Sequence, residues 1–182
     1  MSARFVRTLL CTGALLMLRA PALSAQEKGQ AAFAAIASVV QQLEADPATD
    51  WARVDLERLR QHLIDMDAVL LRSTVRSVAV PGGARFDITG TGRTRAAIQR
   101  IVADHAGMLA MEGGLLATAQ QTPSGMTLTV TTKDPAGKAV SRVRGLGFAG
   151  LLTLGEHHAM HHLMLARGQT MMDHGSHHMG RP

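Results

Sequence analysis

The chain predicts an α+β fold. It reads as a tandem ββα repeat whose hairpins make a four-stranded antiparallel sheet with helices on one face, preceded by two N-terminal helices and followed by a histidine-rich helix. Three observations carry this. Residues 69–132 hold two runs of β-branched and alternating residues, each broken by a turn signal, Pro81-Gly82-Gly83 and Pro123-Ser124-Gly125. Each hairpin is followed by a stretch whose apolar residues recur at helical spacing. A shift of 42 residues aligns Pro81 with Pro123, Gly83 with Gly125, Phe86 with Leu128, Ile88 with Val130, Ile98 with Val140 and Arg100 with Arg142, without a gap.

Taken in order, residues 1–25 read as an export signal. Arg4 and Arg7 are the positive start, Thr8 to Leu18 the apolar core, and Ala20-Pro21-Ala22 and Leu23-Ser24-Ala25 the small-residue cleavage sites. The apolar run is short for a membrane span, so membrane attachment is expected only if the signal stays uncleaved. The one cysteine, Cys11, lies inside this segment, which leaves the mature chain without a thiolate ligand or a disulfide.

Residues 26–67 form a helical segment. From Gln30 to Glu44, Phe33, Ile36, Ala37, Val40 and Leu43 share a face, and Asp46-Pro47 stops the helix. Asp50 or Asp55 caps the next one, with Leu56, Leu59, Leu63 and Met66 as its stripe and Asp65 and Asp67 at its end. Residues 68–168 hold the repeat domain and the histidine-rich helix. Val69 to Val80 and Ala84 to Thr89 make the first hairpin. Arg93 to Met111 is the first helix, with Ile98, Ile101, Val102, His105 and Leu109 as its buried stripe. Leu115 to Gln121 and the strand of Met126, Leu128 and Val130 make the second hairpin. Asp134-Pro135, an N-cap followed by proline, then starts a helix through Val140, Val143 and Leu146. Gly168 is a helix stop, and residues 169–182 lack apolar periodicity and read as a disordered His/Met-rich tail.

Composition excludes several functions. Aromatics are 3 % of the chain, so the core has to be aliphatic, with methionine as filler. The formal charge of +5 includes Arg4, Arg7 and Arg19 of the signal; without them 16 basic residues face 14 acidic ones. No basic run interleaves with aromatics, so nucleic acid is not the expected partner. No serine sits in a nucleophile elbow, and Gly90-Thr91-Gly92 lacks the spacing of a phosphate loop.

The strongest signal is His157-His158-Ala159-Met160-His161-His162-Leu163-Met164. At about 100° per residue, His157 stacks on His161 and His158 on His162, while Ala159, Leu163 and Ala166 form the packing face opposite. Imidazoles at i, i+4 can share one ion, as the two histidines of the zinc-protease helix do. His158 stands where that motif needs its glutamate base, so the motif itself is absent. One helix supplies two or three ligands and the rest must come from elsewhere: His62, His105, or the tail histidines His174, His177 and His178. His62 reads either as a second ligand arm or as a surface cap beside Met66. His105 reads either as an internally satisfied core histidine or as a ligand. Met160 and Met164 are candidate soft ligands, or core filler.

His62-Leu63-Ile64-Asp65-Met66, Gly82-Gly83-Ala84-Arg85-Phe86, and Gly147-Phe148 leading to His157-His158-x-x-His161-His162 and Ala166-Arg167-Gly168 resemble an uncharacterised exported bacterial family with an HHxxHH motif near its C-terminus. The resemblance spans most of the mature chain and implies no established activity. In composition the tail is similar to those of periplasmic copper-handling proteins.

The expectation is a periplasmic or secreted transition-metal-binding protein, with copper favoured over zinc or nickel, acting in sequestration or delivery. Its expected partners are the ion and a periplasmic metal-handling protein. Two other readings stay open: a non-catalytic interaction or scaffold domain with incidental histidines, and a metalloenzyme of unknown reaction.

Overall fold

Two hairpins in a fixed register build the centre of the molecule. The structure, a computed structural model, describes residues 22–134, 137–154 and 157–169. Along the chain run α1 (Ala22–Ala45), α2 (Leu56–Arg72), β1 (Thr74–Val80), β2 (Gly83–Thr89), α3 (Gly92–Met111), β3 (Leu115–Thr122), β4 (Gly125–Thr132), α4 (Lys138–Leu152) and α5 (His157–Ala166). The strands form one antiparallel sheet in the order β1-β2-β4-β3. The class and element order are those the sequence predicts. The predicted signal up to residue 21 and the tail beyond Gln169, with His174, His177 and His178, lie outside the described residues.

The offset of the two copies reappears in the hydrogen-bond register. Val80 opposite Gly83 in the first hairpin corresponds to Thr122 opposite Gly125 in the second. Where the hairpins meet, Phe86 lies opposite Leu128, and these are the two residues that the offset equates. A local two-fold axis therefore passes through that pair. The crowding at the junction explains the matching glycines. A Cβ on Gly83 would stand 2.0 Å from the Val130 carbonyl oxygen, and one on Gly125 would stand 2.1 Å from that of Ile88. Only hydrogen fits against backbone at that distance.

Alternation sorts the sheet into two faces. Ala84, Phe86 and Ile88 of β2 and Met126, Leu128 and Val130 of β4 are buried, while Arg85, Asp87, Thr127 and Thr129 between them face outward. The inner face meets Ile98, Ile101 and Val102 of α3 and Val143, Phe148 and Leu151 of α4 in the main apolar cluster. A second, smaller cluster joins Val39 and Leu43 of α1, Leu59 of α2 and Ala166 of α5. α2 belongs to both: Leu59 to the small cluster, Val69 to the large one.

Four local expectations are corrected. α1 buries Val39 and Leu43, with Ile36 beside them, whereas Phe33 is 75 % exposed and Val40 only half-buried. Helix α2 runs on to Arg72 instead of ending at Asp65 and Asp67. Asp65 accepts hydrogen bonds from Arg100 and Gln61, and burial of Val69 rewards the extra turn. β1 accordingly starts at Thr74 rather than Val69. Helix α4 starts at Lys138 behind Gly137, not at Asp134-Pro135. The amide of Lys133 donates to the Gly114 carbonyl at 2.9 Å, which keeps the chain on the sheet past the end of β4.

The junction makes a quantitative prediction. Gly125→Ala is expected to destabilise the fold by about 2–3 kcal/mol through forced overpacking, and Gly83→Ala by a similar amount. Urea unfolding followed by circular dichroism measures both.

Candidate metal centre

Three helices bring five imidazoles together. α2 is started by Asp55, whose carboxylate accepts from the Arg58 amide at 2.9 Å, and its stripe carries His62 inward. α3 places His105 on the same face as Ile101 and Val102, buried with them. α5 is held at its C-terminal end. The Ala166 carbonyl accepts from the Asp55 amide at 2.7 Å, and Arg167 bridges to Asp46 of the α1–α2 loop at 2.6 Å. This docking turns the His161 side of α5 inward, against the expected arrangement. Ala159, assigned to the packing face, is exposed, while Leu163 and Ala166 do join the small apolar cluster.

The rings form a closed circuit. Centroid separations are 6.5 Å for His62 and His105, 5.2 Å for His105 and His158, 6.1 Å for His158 and His162, and 5.5 Å for His162 and His62. His161 packs edge-on to His62 at 4.7 Å. Two imidazoles on one tetrahedral ion, each nitrogen about 2 Å from it, hold their centroids about 5 Å apart. The five rings are thus spaced as co-ligands are. Among the described residues no group of three or more His, Cys, Asp or Glu is arranged to hold a metal ion, so a shared ion needs a different arrangement of the rings.

Hydrogen bonding fixes two tautomers. A carbonyl only accepts, so His105 Nδ1 carries the proton it donates to the Ile101 carbonyl at 2.8 Å. Its Nε2 is a bare lone pair, buried and without a partner. His158 donates from Nε2 to the Leu152 carbonyl, leaving Nδ1 as its acceptor nitrogen. Backbone anchoring of the distal nitrogen is how metal-ligating histidines are oriented. Nε2 of His62, Nε2 of His162 and both nitrogens of His161 are also buried without partners. Each such nitrogen costs about 1–3 kcal/mol if nothing satisfies it.

Burial keeps the rings neutral. Desolvation, reinforced by the neighbouring imidazoles, pushes His62 down to about 3. His105 falls to about 4 for the same first reason, against the opposing pull of its Ile101 hydrogen bond, and His162 also falls to about 4. His161 is lowered by burial too, with Asp104 opposing. Neutral imidazole is the ligating form.

Of the residues singled out in the sequence, His62, His105, His158, His161 and His162 converge. Met160 does not: it is 65 % exposed on the outer side of α5. Met164 is buried on α5. The backbone of His157 opens α5, but its side chain lies outside what is described. Asp104 was not foreseen. It neighbours His105 in sequence, and its charge raises the pKa of His161. A groove of about 1130 Å³, walled in part by Arg60, Arg72, Arg93 and Arg100, reaches His105. No protein family, curated protein or solved structure matches the chain.

These pKa values fix the sign of a pH effect. Between the folded values of about 3 to 4 and the ordinary value near 6.5, the unfolded chain binds more protons. Stability is therefore fully present above about pH 6.5 and is lost as the pH falls towards 4. For His105 alone the expected loss by pH 5 is about 2 kcal/mol. Thermal melts of the metal-free protein from pH 7.5 to 4.5 measure it, and His105→Gln should flatten the profile.

Proposed function

We propose that this chain is an exported transition-metal-binding protein that sequesters or delivers its ion, with copper as the preferred metal and zinc and nickel as weaker alternatives. One observation carries the reading: five imidazoles from α2, α3 and α5 have neighbouring centroids 4.7–6.5 Å apart, and four of them keep a buried nitrogen without a partner. Buried polar atoms are otherwise almost always satisfied. An ion shared by the rings satisfies them together.

The donor set supports a borderline divalent ion. Imidazole suits copper(II), nickel(II) and zinc(II), and divalent affinities peak at copper. The chain holds no thiolate outside the predicted signal, and Met160 points away from the rings. The tail histidines His174, His177 and His178, with His157, are assigned the weaker role of collecting ions. A second reading, a metalloenzyme, is favoured by the groove that reaches His105, because catalysis needs an open coordination position facing substrate.

Calorimetry with copper(II) and zinc(II) tests the first reading. At free ion about 100 times the dissociation constant, stabilisation of about 2.7 kcal/mol is expected, a rise in melting temperature of about 5–10 °C. The double variant His62→Ala/His162→Ala should lose the rise, and Met160→Ala should keep it. A wild-type protein that takes up neither ion leaves the scaffold reading in its place. Paramagnetic resonance of the copper(II) form separates a closed all-nitrogen site from one with an exchangeable water, which the enzyme reading requires.

A further inference from the structure

The imidazole cluster lies on a boundary. His105 belongs to α3, which is packed into the sheet cluster through Ile98, Ile101 and Val102. His158, His161 and His162 belong to α5, whose apolar partners are α1 and the first turns of α2 through Leu163 and Ala166. His62 sits on α2 between Leu59 of the small cluster and Val69 of the large one. The C-terminal half of α2 joins α3 in the large cluster through Val69, with Met66 and Ala68 packed beside it, and the buried Asp65 is bonded by Arg100 at 2.8 Å. α5 and α1 have their apolar partners in the small cluster, α3 has its own in the large one, and the rings between α5 and α3 bring unpartnered nitrogens rather than cohesion.

We propose that the ion acts as a rivet between the two clusters: by joining His105 of α3 to the histidines of α2 and α5, it makes α1, α5 and the first turns of α2 one cooperative unit with the ββα-ββα module. This rests on the metal-binding reading above and adds the regulation of that site. In the metal-free chain the small cluster opens first, because it is built on only four fully packed residues, Val39, Leu43, Leu59 and Ala166. Local stability follows buried apolar contact, and regions with little of it open below the global free energy. Opening pulls α3 away from α5 and destroys the site, so the ion suppresses it by mass action. The effect reaches α1, which contributes no histidine among its residues, because Ala166 packs on Val39 and Leu43, and Arg167 is bonded to Asp46.

Native-state hydrogen exchange on the purified full chain tests this, with zinc(II) as a redox-silent probe and uptake measured calorimetrically on the same sample. At free zinc about 100 times the dissociation constant, the Val39 and Leu43 amides are expected to exchange about 100-fold more slowly, approaching the rates of Ile101 and Val102 in α3. In His105→Ala, four rings remain and zinc is still bound, but the slowing in α1 is lost. Zinc uptake without slowing in α1 overturns the rivet and leaves the metal-binding reading standing. Full slowing retained in His105→Ala also overturns it. No zinc uptake by the wild type removes both.

Discussion

An imidazole buried with a bare nitrogen is a debt in free energy, and four of them, His62, His105, His161 and His162, set the terms on which this molecule holds together. Protonation cannot relieve them, because desolvation and mutual repulsion push His62, His105 and His162 far below the ordinary histidine value. The unpartnered atoms are buried. The other buried or bridging charges are paired in ordinary ways: Asp65 with Arg100, Asp46 with Arg167, and Arg144 to the Gly83 and Val80 carbonyls. Unsatisfied chemistry is thus concentrated where α2, α3 and α5 meet, and concentration of that kind marks function more often than packing error.

The donor types narrow what the meeting point can hold. Proteins that keep cuprous ions use sulfur, and ions of borderline softness are suited by imidazole. Here the nitrogens face in and Met160 faces solvent. The tautomers are set by backbone carbonyls on two separate elements, Ile101 of α3 and Leu152 at the end of α4. The anchoring leaves His105 with its Nε2 buried and unpartnered.

Much of the fold was legible because its signals are local. The 42-residue offset, the turn residues and the stripe Ile98-Ile101-Val102-His105-Leu109 each depend on neighbours in sequence, and all lie in the observed structure as read. What was not legible depends on contacts made at a distance. Val69 reads as a strand residue but is claimed by the core, which lengthens α2. Phe33 fits an apolar stripe but finds nothing to cover it. Within the candidate site, the four clustered histidines were visible from spacing alone. That His158, His161 and His162 face inward was not, because Ala159 and Leu163 offered an equally good packing face and the rotation of α5 is fixed by Arg167 and Ala166 through partners distant in sequence. His62 and His105 each had a bland explanation, and their proximity to each other and to α5 depends on contacts between helices far apart in sequence.

The repeat itself explains how the meeting comes about. Position 105 in the first copy corresponds to position 147 in the second, and the copies diverge there in both residue and backbone. The first keeps a continuous helix and places His105 on its buried face. The second has Gly147 at φ 59 and ψ −172, a conformation that breaks α4 and is open to glycine alone at little cost. Past that break Phe148, Leu151 and Leu152 repack on the sheet core, and the chain leaves towards α5 with the Leu152 carbonyl in place to receive His158. One copy therefore supplies His105, and the other supplies the bend that carries three more histidines back towards it. A symmetric pair of helices could not do both, since a histidine at 147 would leave the chain without its turn and a glycine at 105 would leave His158 without the ring it packs on. The asymmetry at this single equivalent position is what converts a plain two-copy scaffold into a site.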